Sequence, residues 1–417
     1  MFSRRTFLGT TAGLLGASTL PLKAALAAGP AGNKRKFVFV VNYGGWDPTR
    51  VFASEFDNPS VDMERSADIG AVGNLTFVDH PNRPSVRQFF EEHYQRTLMV
   101  NGVLVPSVAH ENCLHIIMTG STSSVSADWP AILAGAGAAS YALPGVVVGG
   151  PSFPGALGSV VTRTGGSSQL EGLLSGDILD YSDIRTASPD ARAEAIMDSY
   201  LARRAAAAAD AAQGKQASLR GVYTSSLERA ASLKELLHVV DFSSGTSLSE
   251  QIRLAVDLLS LGISRVATVS SEYGWDTHVD NDNLQSSNFE GLFSSLRDLM
   301  ARLQATPGES APTLADETVV VVLSEMGRTP QLNATDGKDH WPYTSALLVG
   351  PGITGNRVVG GLDEYYYGER IDPETGELDS DGRDLSADTL GSTLLNLADI
   401  DHQDYLPGVS SIPGLLS

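Results

Sequence analysis

The sequence has very little cysteine. Cys113 is the one cysteine among 417 residues, so no disulfide can form within a single chain. Small folds stapled by disulfides are therefore excluded, and stability has to come from a buried core or from bound ions. The length is sufficient for one large α/β domain or two smaller ones.

Positive charge is also scarce. The chain has 29 lysines and arginines against 49 aspartates and glutamates, a formal net charge of −20. The resulting field repels polyanions, so nucleic acid and anionic lipid surfaces are not expected as partners. The same excess of carboxylates is compatible with binding divalent cations.

Long hydrophobic runs are missing, even near the N-terminus. Arg4 and Arg5 precede a mildly apolar stretch interrupted by Gly and Thr, and Ala25-Leu26-Ala27 gives a small-x-small cleavage site. The apolar stretch is shorter than the roughly 20 residues that a membrane span needs. Residues 1–27 therefore predict a twin-arginine export signal, and hence a periplasmic or secreted protein with no membrane span after its removal.

Apolar runs predict the strands of a sheet. Most of these runs are continuous, as in strands that are buried on both faces. Helical patterns lie between several of them, which predicts an α/β fold with a mostly parallel or mixed central sheet covered by helices. The predicted strands are 37–41, 98–104, 146–148, 266–270, 318–323 and 346–349.

An alanine-rich region, about 171–245, differs from the rest of the chain. Its composition favours helices, with a second helical pattern at 225–239. We predict a helical insertion that packs on the sheet within a single domain, 28–417. After it, Ser247 and Glu250 form a capping-box pattern, which predicts the start of the helix that leads into the strand 266–270.

Acidic and imidazole side chains lie directly after, or before, several predicted strands. Because ligands gather beyond the carboxyl ends of strands in open α/β sheets, these side chains are expected to share one site. Carboxylate and imidazole are the ligands of zinc, manganese and other first-row divalent ions, and an aspartate can instead hold the second nitrogen of a ligating histidine. The candidate metal ligands are Asp47, Asp276, His278, Glu325, Asp339 and His340.

Four short motifs carry a resemblance to a known family: GGWD at 44–47, GWDTH at 274–278, SEMGRTP at 324–330 and GKDHWP at 337–342. In order and spacing they resemble a large, uncharacterised, twin-arginine-exported bacterial family of unknown function within the alkaline phosphatase/sulfatase superfamily. The resemblance implies an alkaline-phosphatase-like α/β sandwich. It also implies metal-dependent hydrolysis of an anionic phosphate or sulfate ester.

The resemblance assigns metal ligands, with two departures. Asp47 matches the first-strand ligand of the superfamily's two-metal hydrolases, and Asp276 and His278 match an Asp…His group that a helix follows, here 289–303. Glu325 stands where those enzymes have aspartate, and Met326 stands where they have histidine. Because a thioether does not replace imidazole for a hard or borderline ion, one of the two metal sites is not expected to remain intact.

The segment after the predicted strand 98–104 is where the superfamily's enzymes carry their nucleophile. Ser107 and Thr119 offer hydroxyl groups there, and His110 lies between them in sequence. Cys113 lacks the Cys-x-Pro-x-Arg pattern that sulfatases use, which disfavours modified-cysteine chemistry. The predicted catalytic residues are therefore Ser107, His110 and Thr119, and a buried strand-to-helix loop around a core cysteine is the alternative.

Two classes of function stay open on these residues. The first is an exported hydrolase of small anionic esters, phosphate or sulfate, that uses zinc or manganese. The second is a catalytically silent protein that keeps the fold as a cell-envelope binding or assembly component. The aspartates and histidines at the strand ends favour the first class, whereas Met326 and the absence of an obvious nucleophile favour the second.

A separate acidic loop, 377–388, follows the spacing of an EF-hand calcium loop. Carboxylates fall at positions 1, 3, 5 and 12 of this loop, with glycine at position 6. The spacing predicts a calcium site, and the alternative is an acidic surface loop before a capped helix. The predicted calcium ligands are Glu377, Asp379, Asp381 and Asp388.

Overall fold

The strands of this protein are mostly short, apolar and buried. The computed structural model describes residues 34–164, 169–175, 191–236, 239–242, 245–271 and 273–417. Its strands, in chain order, are β1 (Lys36–Asn42), β2 (Asp68–Val72), β3 (Leu75–Asp79), β4 (Thr97–Leu104), β5 (Gly145–Val147), β6 (Val161–Arg163), β7 (Val266–Ser271), β8 (Thr318–Ser324), β9 (Gly327–Arg328), β10 (His340–Trp341), β11 (Tyr343–Val349) and β12 (Arg357–Val359).

Helices connect most of the strands. In chain order, those in the described residues are α1 (Pro84–His93), α2 (His110–Thr119), α3 (Trp129–Ala136), α4 (Gln169–Ser175), α5 (Ala191–Asp210), α6 (Lys215–Leu236), α7 (Leu248–Ser260), α8 (Asn281–Ala305) and α9 (Ala387–Leu397).

One eight-stranded sheet separates two layers of helices. Its strand order is β12-β4-β11-β8-β1-β7-β5-β6. Alternate residues of β1 face opposite layers: Val38 and Val40 pack with α1, α7 and α8, while Phe37 and Phe39 pack with α2, α3 and α9. Burial on both faces explains why the strand is apolar throughout rather than alternating. The predicted α/β sandwich with a mostly parallel, mixed sheet is confirmed.

Strand directions bring several loops to one edge of the sheet. β1 is parallel to β7 and β8, whereas β11 is antiparallel to both β8 and β4. The residues that follow β1, β4, β7 and β8 therefore emerge at the same edge as the residues that precede β11. The predicted clusters lie in these segments, so the topology places all of them at one edge.

The predicted elements agree with the structure in position more closely than in length. All six predicted strands are present, each shifted or extended by up to three residues. The helix predicted at 289–303 is too short, because α8 begins at Asn281. The second insertion helix is also longer than predicted, since α6 begins at Lys215. Ser247 caps α7 as predicted, accepting a hydrogen bond from the backbone of Glu250.

The insertion contributes a helical pair to the described residues. Lys234 of α6 forms ion pairs with Glu194 and Asp198 of α5, at 2.9 and 3.1 Å. Part of the predicted insertion, 176–190, lies outside the described residues, and the single-domain prediction stays a prediction. The predicted export signal also lies outside them. In the part of the chain that is described, no helix is both long and apolar enough to cross a membrane.

Candidate metal centre

Three imidazole rings converge at the edge where the strand ends meet. The Nε2 atoms of His278 and His340 are 3.0 Å apart. Both lie close to Asp276 Oδ1, at 3.1 and 3.2 Å. His110 completes the group, with its Nε2 atom 3.5 Å from Asp276 Oδ2. His110, Asp276 and His340 each offer one donor atom, and these three atoms lie within 4.8 Å of one another, close enough to share a metal ion.

Separate structural elements position these four residues. His110 is the first residue of α2, after the loop that leaves β4. Asp276 and His278 lie between β7 and α8, and His340 lies on the short strand β10 that pairs with β9. The rings of His110 and His340 meet edge to face, with centroids 4.4 Å apart. The site therefore depends on the tertiary fold, since its residues come from three distant parts of the sequence.

The second nitrogen of each ring is held by an acceptor. His110 Nδ1 lies 2.8 Å from Glu325 Oε1, and His278 Nδ1 lies 2.8 Å from Asp339 Oδ1. His340 Nδ1 lies 2.7 Å from the backbone oxygen of Val108. Because carboxylate and carbonyl oxygens only accept, these contacts favour a proton on each Nδ1, which would leave each Nε2 with a lone pair for a cation. This outer arrangement is the one that orients metal-bound histidines.

The donor set fits a divalent metal ion. The Nε2 atom of His110 is buried and has no hydrogen-bond partner among the described residues. With both Nδ1 atoms protonated, the Nε2 lone pairs of His278 and His340 would face each other at 3.0 Å, and a cation between them would relieve their repulsion. Three imidazoles with one carboxylate form the mixed nitrogen and oxygen set that zinc accepts in tetrahedral sites. Sequence reasoning assigned His110 a catalytic role, which stays a prediction, and the structure groups His110 with the candidate metal ligands.

The carboxylate at the centre is held in its charged form. Burial alone would raise the pKa of Asp276, but the hydrogen bond and charge of Arg328, with the nearby imidazoles, lower it to about 2. The pKa of His110 is raised, chiefly by its hydrogen bond to Glu325. At neutral pH Asp276 is thus available as an anionic ligand.

Glu325 and Asp339, both predicted as metal ligands, contact the Nδ1 atoms of His110 and His278, and direct ligation by them stays a prediction that these contacts disfavour. Glu325 is fully buried, and its oxygens also accept hydrogen bonds from the backbone nitrogens of Gly44 and Gly45 at 2.8 and 3.2 Å. Both glycines have positive φ angles, 120° and 76°, which favour glycine at this turn. The GGWD motif therefore serves to cradle Glu325, which in turn orients His110.

Asp47 lies in a different, fully buried network. Its Oδ2 atom is 2.9 Å from Lys338 Nζ and 3.6 Å from an Arg50 nitrogen. Asn281 also donates to Oδ2, and Thr49 donates its backbone N–H and its hydroxyl to Oδ1. Burial alone would raise the pKa of Asp47, but Lys338, Arg50 and Thr49 hold it well below its usual range. Lys338 and Arg50 already pair with this carboxylate. Metal ligation by Asp47 therefore stays a prediction that the contacts disfavour.

The predicted hydroxyl nucleophiles differ in their positions. Thr119 ends α2, about 13 Å along the helix from His110 at a rise of 1.5 Å per residue, and its hydroxyl donates to the backbone oxygen of His115 at 2.7 Å. Ser107 lies in the loop before His110 and accepts from the backbone of Ala109. Burial raises the pKa of the Cys113 thiol to about 11, so it is not a nucleophile at neutral pH. Thr119 therefore lies away from the histidines of the candidate site.

Arg328 is a site residue that sequence reasoning missed. Its guanidinium is fully buried and donates to Asp276 Oδ1 at 2.6 Å. The same group also binds the loops after β1 and β7 and the loop before β10, so one side chain ties three strand-end segments together. Its position in the SEMGRTP motif was the available signal. The backbone oxygens that accept from it are those of Gly44, Gly45, Trp275 and Lys338.

The acidic loop predicted to bind calcium does not gather its carboxylates. Glu377 pairs with Arg357 at 2.8 Å, and Asp379 accepts from the backbone of Asp381 at 2.9 Å. Asp388 lies in the first turn of α9. In the described part of the chain, the metal-like group of donors is the one around Asp276. Calcium binding by this loop stays a prediction that the contacts disfavour, because Glu377 pairs with an arginine, Asp379 accepts within a local turn and Asp388 lies at a helix start.

The sequence itself places the chain in a family. Residues 92–411 match the family described as "Protein of unknown function (DUF1501)". The chain belongs to this family. The matched segment contains all four residues of the candidate site, His110, Asp276, His278 and His340. No curated protein matches this DUF1501 chain significantly.

Solved structures with a similar fold include three proteins from different bacteria. A protein in the alkaline phosphatase superfamily from Vibrio parahaemolyticus gives a TM-score of 0.39 at 11% identity, over 92% of this chain and 75% of that chain. The lipoteichoic acid synthase LtaP from Listeria monocytogenes gives 0.39 at 11%, over 92% and 75%. The phosphonate monoester hydrolase of Agrobacterium radiobacter gives 0.35 at 13%, over 91% and 77%. At these scores the likenesses carry no functional argument for the DUF1501 chain.

Substitution of Asp339 with alanine is expected to weaken zinc binding about 10- to 100-fold, because His278 loses the acceptor that orients it. Asp336→Asn is the matched control, since it removes an equal charge from the same loop without touching a histidine. Competition against a chelator of known zinc affinity measures both variants. Equal affinities for Asp339→Ala and the wild type would contradict the assigned role of Asp339.

Proposed function

We propose that this protein is a metal-dependent hydrolase whose active site holds one divalent ion, zinc in preference to manganese. The observation that carries the proposal is the convergence of three imidazole Nε2 atoms on Asp276, each ring fixed by an acceptor at Nδ1. A nitrogen-rich donor set favours zinc, whereas manganese prefers oxygen ligands. The proposed ligands are His110, Asp276, His278 and His340.

The ion, when bound, supplies Lewis acidity and positive charge at the place where an ester would react. The chain supplies orientation and access. Glu325, Asp339 and the Val108 backbone fix the three rings, and Arg328 fixes Asp276. The side chains of Asp276 and His278 are 47% and 44% exposed, so water and substrate reach them from solvent.

A hydrogen-bond donor lies beside this centre. The ring of Tyr43 is 5.2 Å from the ring of His110. Burial, together with the carboxylates of Glu111, Glu325 and Asp276, raises the pKa of Tyr43. Its phenol therefore keeps its proton at neutral pH, and we assign it the role of donating a hydrogen bond to an ester oxygen.

Phosphate and sulfate esters are the proposed substrates, and water is the proposed nucleophile. The four motifs that resemble the alkaline phosphatase/sulfatase superfamily support an anionic ester. The surrounding carboxylates would repel such a substrate without a metal, so the charge of the ion is needed for binding as well as for chemistry. Thr119 and the neutral Cys113 do not compete for the role of nucleophile.

A catalytically silent envelope component is the second candidate, and one observation favours it. Lys338 and Arg50 neutralise Asp47 inside the protein, and Met326 is buried in the core. A second metal therefore has no complete ligand set next to the first among these residues. A single remaining ion would then stabilise a binding surface rather than carry out a reaction.

Hydrolysis assays on the metal-loaded protein separate these candidates. We expect the protein to hydrolyse at least one of p-nitrophenyl phosphate, bis(p-nitrophenyl) phosphate and p-nitrophenyl sulfate, to lose this activity on chelation and to regain it with zinc. His278→Ala should be inactive. His402→Ala is the control, because His402 binds Asn396 and Val409 away from the site. Rates for the loaded wild type no faster than for His278→Ala, on all three esters, would favour the silent component.

We further propose export through the twin-arginine pathway to the periplasm or the cell exterior. The paired Arg4 and Arg5 and the Ala25-Leu26-Ala27 site support this proposal. N-terminal sequencing of the protein from the periplasmic fraction should begin at Ala28. The proposal would be contradicted if the wild-type protein stayed in the cytoplasm and replacing both Arg4 and Arg5 with lysine left its location unchanged.

A further inference from the structure

A cluster of aromatic side chains lies on and around β10, the strand that carries His340. Trp341 directly follows His340 on β10, so their Cα atoms are about 3.8 Å apart. The rings of Trp341 and Tyr367 are stacked, with centroids 5.6 Å apart and planes 14° from parallel. Tyr343 contacts Tyr367 at 5.7 Å. The aromatic cluster is thus Trp341, Tyr343 and Tyr367, with Tyr365 beside it in sequence.

Two of these rings are exposed although their backbone is firmly held. Tyr365 is 67% exposed and Tyr367 is 46% exposed. The Asp363 carboxylate accepts hydrogen bonds from the backbone nitrogens of both, at 2.9 and 2.8 Å. Large aromatic rings on a preformed loop bind a ligand with little loss of conformational entropy.

Tyr366 anchors this loop to the rest of the protein. Its ring is fully buried, whereas those of its two neighbours are exposed. Its backbone oxygen accepts a hydrogen bond from Trp341 Nε1 at 2.9 Å. Its φ angle of 66° is uncommon for a tyrosine and turns the chain so that Tyr365 and Tyr367 face outward while Tyr366 faces inward.

The charge around the cluster selects the kind of ligand. Burial, with the charges of Asp384 and Asp363, raises the pKa of Tyr343. Arg370 is paired with Asp384 at 3.2 Å, and Glu364 adds a further exposed carboxylate. An anionic group would be repelled here, whereas a neutral ligand that offers hydroxyl donors to carboxylates would be accepted.

We propose that the aromatic cluster and Tyr365 bind a neutral sugar ring. The C–H groups on the face of a sugar carry partial positive charge and pack on the negative face of an aromatic ring, while its hydroxyls donate to the carboxylates at the rim. Because Trp341 of the cluster directly follows His340 on β10, the sugar would belong to a glycan that carries the ester at the metal centre. That last link rests on the proposed function, whereas sugar binding itself does not.

Tryptophan fluorescence reports directly on this surface. The sequence has four tryptophans, and Trp46, Trp129 and Trp275 are buried, which leaves Trp341 as the partly exposed one. We expect at least one neutral hexasaccharide, from a set of α-1,4-glucan, β-1,4-glucan, β-1,4-galactan and N-acetylated chitin oligomers, to change the emission in a saturable manner. The emission of the metal-free protein should change in the same way when the oligosaccharide is added. Sugar binding can therefore be confirmed even if the protein proves not to be a hydrolase.

Matched tyrosine variants complete the test. Tyr367→Ala should weaken the response at least about fivefold in Kd, the fold-change that corresponds to losing about 1 kcal/mol of aromatic stacking. Tyr405→Ala, at an exposed tyrosine elsewhere, should leave it unchanged. The proposal is overturned if none of the four oligomers binds, if Tyr367→Ala binds as tightly as the wild type, or if the cluster binds tetramethylammonium and no sugar.

Discussion

Substitution of His110 with alanine is expected to abolish stoichiometric zinc binding and hydrolysis together. In the proposed centre this imidazole would supply one of three nitrogen donors, and its buried Nε2 atom has no hydrogen-bond partner among the described residues. The loss should exceed the roughly 10- to 100-fold that an outer partner such as Asp339 contributes. Zinc content after gel filtration and the rate on the preferred ester measure the two effects.

The His110→Ala variant also distinguishes ligation from simple acid–base catalysis. A histidine that only transfers a proton could be removed with the metal still bound at full occupancy. His402→Ala serves again as the control for the loss of an imidazole. Full zinc occupancy in His110→Ala, with hydrolysis lost, would return His110 to the catalytic role that the sequence suggested and would contradict its place among the ligands.

Substitution of Lys338 with methionine is expected to destabilise the protein by up to about 3–5 kcal/mol, the cost of breaking a buried ion pair, because Arg50 at 3.6 Å would be the one cation left beside Asp47 among the described residues. Asp47 is fully buried and 2.9 Å from Lys338 Nζ. Adding Asp47→Asn should recover part of the lost stability, because the buried carboxylate that lost its nearest cation is then neutral. Lys234→Met, which breaks a partly exposed pair with Glu194, should cost no more than about 1 kcal/mol. Urea unfolding of the four proteins measures the differences.

Acid should remove the same stabilisation in a defined direction. Because the pKa of Asp47 is lower in the folded protein than in the unfolded chain, its contribution is fully present above the unfolded value, near 4, and is lost as the pH falls below it. The difference in unfolding free energy between the wild type and Asp47→Asn should therefore shrink below about pH 5. A difference that stays constant from pH 7 to pH 3 would contradict the pairing of Asp47 with Lys338.

The sequence was sufficient to locate the site because strand ends can be recognised from apolar runs. Asp276, His278 and His340 were expected at one edge of a sheet, and the structure places them there. That expectation needs only the positions of β7, β8 and β11, and the rule that loops at the carboxyl ends of parallel strands meet. The antiparallel direction of β11 brings His340 to the same edge from the opposite end of its strand.

The sequence could not predict which carboxylates face the candidate metal position and which hold a histidine ring or pair with a lysine. Glu325 and Asp339 look like ligands in the chain, but each lies at the Nδ1 side of an imidazole. Asp47 looks like a ligand too, yet a lysine from a distant segment occupies it. Such pairings depend on distances of a few ångströms between segments far apart in sequence, which periodicity and motif spacing do not report.

Metal coordination tests the central claim most directly. X-ray absorption spectroscopy of the purified, zinc-loaded protein, together with metal analysis, gives both the number of ions and the identity of the atoms around them. The account predicts one zinc per chain, with three imidazole nitrogens at about 2.0–2.1 Å and one oxygen at about 2.0–2.2 Å. A protein that takes up no stoichiometric zinc, or a zinc shell with fewer than two imidazoles that is unchanged in His110→Ala, would contradict it.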